Sequence, residues 1–208
     1  MTRCMLVALV MIISSVLFYP PVVLSATTTA PDAFSAERAR LLKGEIIVEL
    51  SALENGVTGV SGKLFIAAPP AKVWEVLTDY NNHKNFIPKL IDSGLISDNG
   101  NEQVMFQKGK TRIFIFQKTV YIKMRVSREY LKHLDFQETE GDFKVYHGKW
   151  TLENYPQAHG TFLAYESEVK PDFFAPAFVV RYVQRHDFPQ VLAAMRTRAE
   201  SMTNPVSK

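Results

Sequence analysis

The sequence predicts an α+β domain: a curved antiparallel sheet wrapped around a long C-terminal helix, with two short helices after the first hairpin. Three observations carry this expectation. Segments of alternating apolar and polar residues recur from Ile46 to Val169 with short connections, the pattern of an antiparallel meander. A helical stretch opening on Pro69-Pro70 interrupts them after the second strand. The closing stretch, 172–201, is long enough to cover a sheet, and its apolar residues Phe188, Val191, Leu192, Met195 and Ala199 fall at helical spacing. A strongly curved sheet closing on such a helix leaves a cavity between the two.

The elements follow in order. Arg3 begins a short basic region, 5–18 is an apolar run, and Val23-Leu24-Ser25-Ala26 is a small-residue cleavage region, so 1–26 reads as a secretory signal peptide. The alternative is an uncleaved N-terminal membrane anchor, although the run is short for a span and ends in Pro20-Pro21. Residues 27–43 form a linker and a short helix stopped by Gly44. Ile46, Val48 and Leu50, then Val60, Leu64 and Ile66, alternate with polar residues around a Glu54-Asn55-Gly56 turn, which reads as a hairpin with one buried face. Val73, Val76, Leu77 and Tyr80 stripe the first short helix; Asn85-Phe86-Ile87-Pro88 makes the second turn or helix. Strands are expected after Leu90, then over 104–107, 112–117, 120–127, 134–137, 143–152 and 161–169, with a loop through Asn154, Pro156 and Gly160. Within the closing stretch, Asp187 followed by Pro189 resembles a fresh N-cap and first turn, so a kink or break is expected there.

Composition narrows the function classes. A chain of 208 residues that is 47% hydrophobic and 22% charged can bury a core, and its formal charge of +3 is too small and too dispersed for nucleic acid. The one cysteine, Cys4, lies in the leader, so a mature chain has no thiol nucleophile, cysteine metal site or disulfide, and tolerates an oxidising compartment. An exported protein, periplasmic or secreted, is the expectation.

Large or deformable side chains suited to an apolar pocket are Met105, Phe114, Phe116, Met124, Tyr146, Trp150, Tyr165, Phe178 and Tyr182. Each also serves as ordinary core. Groups for catalysis are scarce. His147 lies in a strand where the Phe143, Val145, His147 face and the Tyr146, Gly148, Trp150 face cannot both point inward without a bulge. His83, His133, His159 and His186 show no metal-ligand spacing, and Asp79 at a helix end reads as a capping or solvated carboxylate. No catalytic residue, metal or cofactor is assigned. Arg181, Arg185, Arg196 and Arg198, with the apolar Phe173, Phe174 and Phe178, suggest a surface for transient membrane contact, against the simpler reading of a solvated helix face.

The run Pro69-Pro70-Ala71-Lys72-Val73-Trp74-Glu75-Val76-Leu77-Thr78-Asp79-Tyr80, followed by Phe86-Ile87-Pro88 and Ser93, resembles the first helical segment of the START-like, polyketide cyclase and coenzyme Q-binding family. Gly141-Asp142-Phe143 with Gly148-Lys149-Trp150, and Thr161, Leu163 and Tyr165 leading to Pro171, agree with it. The resemblance covers roughly 44–200 and puts the START-like domain at 44–204. It implies the helix-grip fold and an apolar small molecule, a lipid, quinone or similar, bound or transferred in the cavity. The alternative it implies is a cyclase or dehydrase acting on a polyketide-like or aromatic substrate there. A third reading is an interaction protein whose cavity is filled by its own side chains. The shortage of convergent acids and bases favours binding over catalysis.

Overall fold

The computed structural model describes residues 33–100, 102–113 and 116–203; the leader expected at 1–26 lies outside them. The order is α1 (Ala33–Leu42), β1 (Ile46–Ala52), β2 (Thr58–Ile66), α2 (Pro70–Thr78), α3 (His83–Phe86), β3 (Leu90–Asp98), β4 (Glu102–Ile113), β5 (Phe116–Glu129), β6 (His133–Gly141), β7 (Phe143–Tyr155), β8 (Gly160–Pro171) and α4 (Ala177–Thr203). All eight strands form one sheet in the order β1-β2-β8-β7-β6-β5-β4-β3. Each described pairing is antiparallel. The two short helices carry the chain from β2 to the far edge, and the meander returns until β8 pairs with β2. Among the described residues no helix is long and apolar enough to cross a membrane.

The concave face holds the main core. In β2 every second residue is buried, and Leu64 and Ile66 are wholly so, because the face points at α2 and α4. Gly62 lets α4 lie flush: a Cβ there would stand 2.6 Å from the Phe188 ring and 2.9 Å from Leu192. Pro69 and Pro70 start α2, whose Val73, Val76 and Leu77 are buried against the same core.

Three expectations need correction, and one open alternative is settled. The hairpin is covered on both faces at its Ile47 end, since α1 lays Leu41 against Ile47 and Phe162 on the convex side and is held there by the Arg38–Glu153 and Lys63–Glu37 ion pairs. The strands expected at 104–107 and 112–117 are divided differently: 104–107 and 112–113 belong to β4, and 116–117 to β5. Lys108, Gly109 and Lys110 stay extended and pair with Tyr121, Val120 and Thr119, so a polar stretch read as a connection belongs to the ladder. The break expected at Asp187–Pro189 does not interrupt α4, which contains Pro189. Asp187 is used otherwise: its carboxylate accepts from Lys89 at 2.6 Å, tying the helix to the segment after α3. Finally, the parity conflict in β7 is resolved by a bulge between Phe143 and Val145, which turns Phe143 to the same side as Tyr146 and Trp150.

Candidate functional site

Beyond Phe188 toward its N-terminus, α4 passes over the sheet without filling the space beneath it, leaving a cavity of ≈ 350 Å³. The volume lies at the lower end of the range, about 300–1,000 Å³, that holds small ligands. Val179, Val180 and Val183 form the roof; Met105, Met124 and Val126 line the floor.

One wall is aromatic. Tyr165 is its hub, with Trp150 at 4.5 Å, Phe188 at 4.6 Å and Phe136 stacked at 5.7 Å between ring centroids. Tyr146 continues it, tilted against Phe136 at 5.4 Å and Phe143 at 5.3 Å. The Tyr146 and Tyr165 hydroxyls meet at 3.3 Å. Burial is the first cause that pushes both phenols above their ordinary value, so at neutral pH both keep their protons. Glu138, beside this wall, accepts from the Phe143 N–H at 3.3 Å, and desolvation raises its carboxyl as well.

The opposite side holds a second polar station. His83 is buried, and its Nε2–H donates to the Val76 carbonyl at 3.0 Å, since a carbonyl only accepts. That fixes Nδ1 as the acceptor for the Gln107 amide at 3.2 Å. Desolvation lowers the His83 pKa, so the ring is neutral with both nitrogens engaged. Nearby, Tyr80 donates to Gln103 at 3.0 Å, and its hydroxyl is pushed up to about 12, chiefly by burial. These bonds join α2 and α3 to β4 and leave the ring and phenol with structural tasks. The charged side chains among the described lining residues, Lys89, Lys110 and Asp187, stand at the mouth, where the two lysines are exposed. Phe173 edges the same opening and carries the Lys118 ammonium 4.4 Å above its ring.

Of the residues expected to contact a ligand, Met105, Met124, Tyr146, Trp150 and Tyr165 line this cavity. Phe178 and Tyr182 do not; they are 58% and 62% exposed on the outer side of α4, because the helix turns Val179, Val180 and Val183 inward instead. Phe114 lies outside the described residues, and Phe116 is described only as the first residue of β5. His147 points outward, with Nε2 3.5 Å from Glu168. Asp79 accepts from Asn82 at the end of α2 at 2.9 and 3.0 Å. Among the described residues no three His, Cys, Asp or Glu side chains gather as a metal set. Sequence reasoning missed Phe136, Phe143, Phe188, His83 and Gln107 as lining residues. Strand parity with Leu134 could have found Phe136; Phe143 depends on the bulge and carries no such signal.

The family model for polyketide cyclase / dehydrase and lipid transport matches residues 66–196. The chain belongs to this family. Solved structures agree on the helix-grip fold. One is the Zhui aromatase/cyclase from Streptomyces sp. R1128, with a TM-score of 0.63 and 15% identity over 73% of this chain and 98% of that one. Another is the STAR-related lipid transfer protein from Xanthomonas axonopodis, with a TM-score of 0.60 and 17% identity over 74% and 93%. A START superfamily protein from Mycobacterium smegmatis has a TM-score of 0.58 and 12% identity over 69% and 98%. No curated protein matches the chain. In the family's fold, the cavity described above occupies the space between sheet and terminal helix.

Proposed function

We propose that this protein binds an apolar small molecule, a lipid, quinone or similar, between its sheet and α4, and carries it on the exported side of a membrane. The observation that carries this reading is the ≈ 350 Å³ cavity with its aromatic wall and valine roof. Burying a ligand there gains about 0.8 kcal/mol per methylene before ordering costs. Transfer of protons is poorly served: the two phenols keep theirs, and the His83 acceptor nitrogen is already occupied by Gln107. A cyclase or dehydrase in the same space needs a free base, and Glu138, the carboxyl beside the aromatic wall, is not among the described residues that line the cavity.

Loading fits the surface around the mouth. Phe174 is 92% exposed, Phe178 and Tyr182 flank it on α4, and Arg181 and Arg185 follow. Such a patch suits transient contact with an anionic bilayer. The leader read at 1–26 supports export. The reading is tested by titrating the purified protein with a fluorescent apolar probe: saturable binding at one site per chain is expected, and no saturable site would refute it. In the same preparation, Phe174→Ser with Phe178→Ser lowers co-sedimentation with anionic vesicles while leaving probe binding intact; unchanged sedimentation removes the membrane step.

A further inference from the structure

Resting on the carrier reading, we infer that the cavity selects an uncharged, largely apolar molecule bearing an oxygen acceptor, a carbonyl or an ether, which accepts a hydrogen bond from the spare O–H of the Tyr146–Tyr165 hydroxyl pair. Two phenols hold two protons; Tyr165, which also has the Ser167 side chain beside it, spends its own on Tyr146 in the bond they share at 3.3 Å. The other remains to donate. Tyr146, the less buried of the two, lines the cavity and is placed to present it. Protonated phenols donate and do not act as anions, which matches a neutral acceptor on the ligand.

The rest of the wall argues against a charged head inside. A carboxylate or phosphate buried beside the phenols finds no ammonium or guanidinium among the described lining residues except Lys89 and Lys110. Lys89 is engaged at the mouth by Asp187, and both lysines are exposed to water. His83 supplies no charge, because both its nitrogens are bonded in the neutral form. An anion held deep in the cavity would lose its hydration without a counter-charge. Volume acts in the same direction, since ≈ 350 Å³ accommodates a ring system or a single chain and falls far short of a two-chain phospholipid.

The test compares three competitors of a bound fluorescent apolar probe: a symmetrical long-chain ketone, the alkane of equal carbon count and the straight-chain carboxylate of equal carbon count. The ketone should compete about three- to tenfold better than the alkane, the increment of one neutral hydrogen bond. Tyr146→Phe, checked for an unchanged melting transition, should bring the ketone down to the alkane and leave the alkane where it was, whereas Tyr165→Phe, which keeps the Tyr146 O–H, should retain the ketone preference. The carboxylate should be weakest. Equal ketone and alkane in the wild-type protein, a preference that survives Tyr146→Phe, or a carboxylate that binds best would overturn the inference while the carrier reading stands. If the probe itself finds no site, the carrier reading fails first.

Discussion

The two halves of α4 have opposite relations to the sheet. In the second half Leu192 is wholly buried and Met195 and Ala199 nearly so, locked against β2 and α2 over the space that Gly62 leaves open. Over 178–187 Val179 alone among the described side chains is buried, Val180 and Val183 are half-buried over the cavity, and Phe178 and Tyr182 face water. Pro189 lies near the junction, where it withholds a backbone donor from the helix interior. One helix therefore anchors the fold with one end and roofs a void with the other. Stability and occupancy of the void should therefore be separable along a single element.

The largest expected effect breaks the anchor. Leu192→Ala should cost about 3 kcal/mol, the loss of a buried leucine plus the cavity left behind, read as a lower urea midpoint. In the roof, Val183→Trp should fill the cavity and weaken apolar probe binding at least about tenfold, a loss of about 1.4 kcal/mol, with a much smaller change in the urea midpoint. A midpoint that fell as far as in Leu192→Ala would erase the distinction between the halves.

The pH dependence sharpens the same contrast at α3. Burial depresses the His83 pKa in the folded state, so the unfolded chain binds its proton first as pH falls. Stability associated with neutral His83 is complete above the unfolded value near 6.5 and declines as pH drops through that value toward the folded one. His83→Gln, which can still donate to Val76, should flatten this part of the stability profile between about pH 7 and pH 5. A profile as steep as the wild type would assign the slope to other groups. The smallest effect is at the mouth. Lys89→Ala breaks an exposed ion pair and should change stability by less than about 1 kcal/mol, yet speed probe release in stopped-flow exchange.

Much of this architecture is legible in the residues. The alternation in Val120, Ile122, Met124 and Val126 dictates a strand with one inward face, and Ile122, Met124 and Val126 are buried as that face requires. The spacing of Phe188, Leu192, Met195 and Ala199 places the anchor half of α4 with equal clarity. The roof half is harder to read: 178–183 is apolar almost throughout, so spacing could not separate inward Val179 and Val183 from outward Phe178 and Tyr182. Extended Lys108-Gly109-Lys110 defeats composition because a long hairpin can carry polar residues and glycine while its backbone bonds persist. The hydroxyl pair depends on two strands in register, with Trp150 opposite Tyr165 and Tyr146 opposite Val169, a relation that no single segment reveals.

The central claim, that α4 roofs a ligand site, is tested most directly by native mass spectrometry of the full chain purified from an expression host, followed by solvent extraction and identification of what is released. One apolar molecule per chain, lost in the Val183→Trp variant, is the expected result. A chain that emerges empty and takes up nothing from vesicles carrying a quinone would contradict the account.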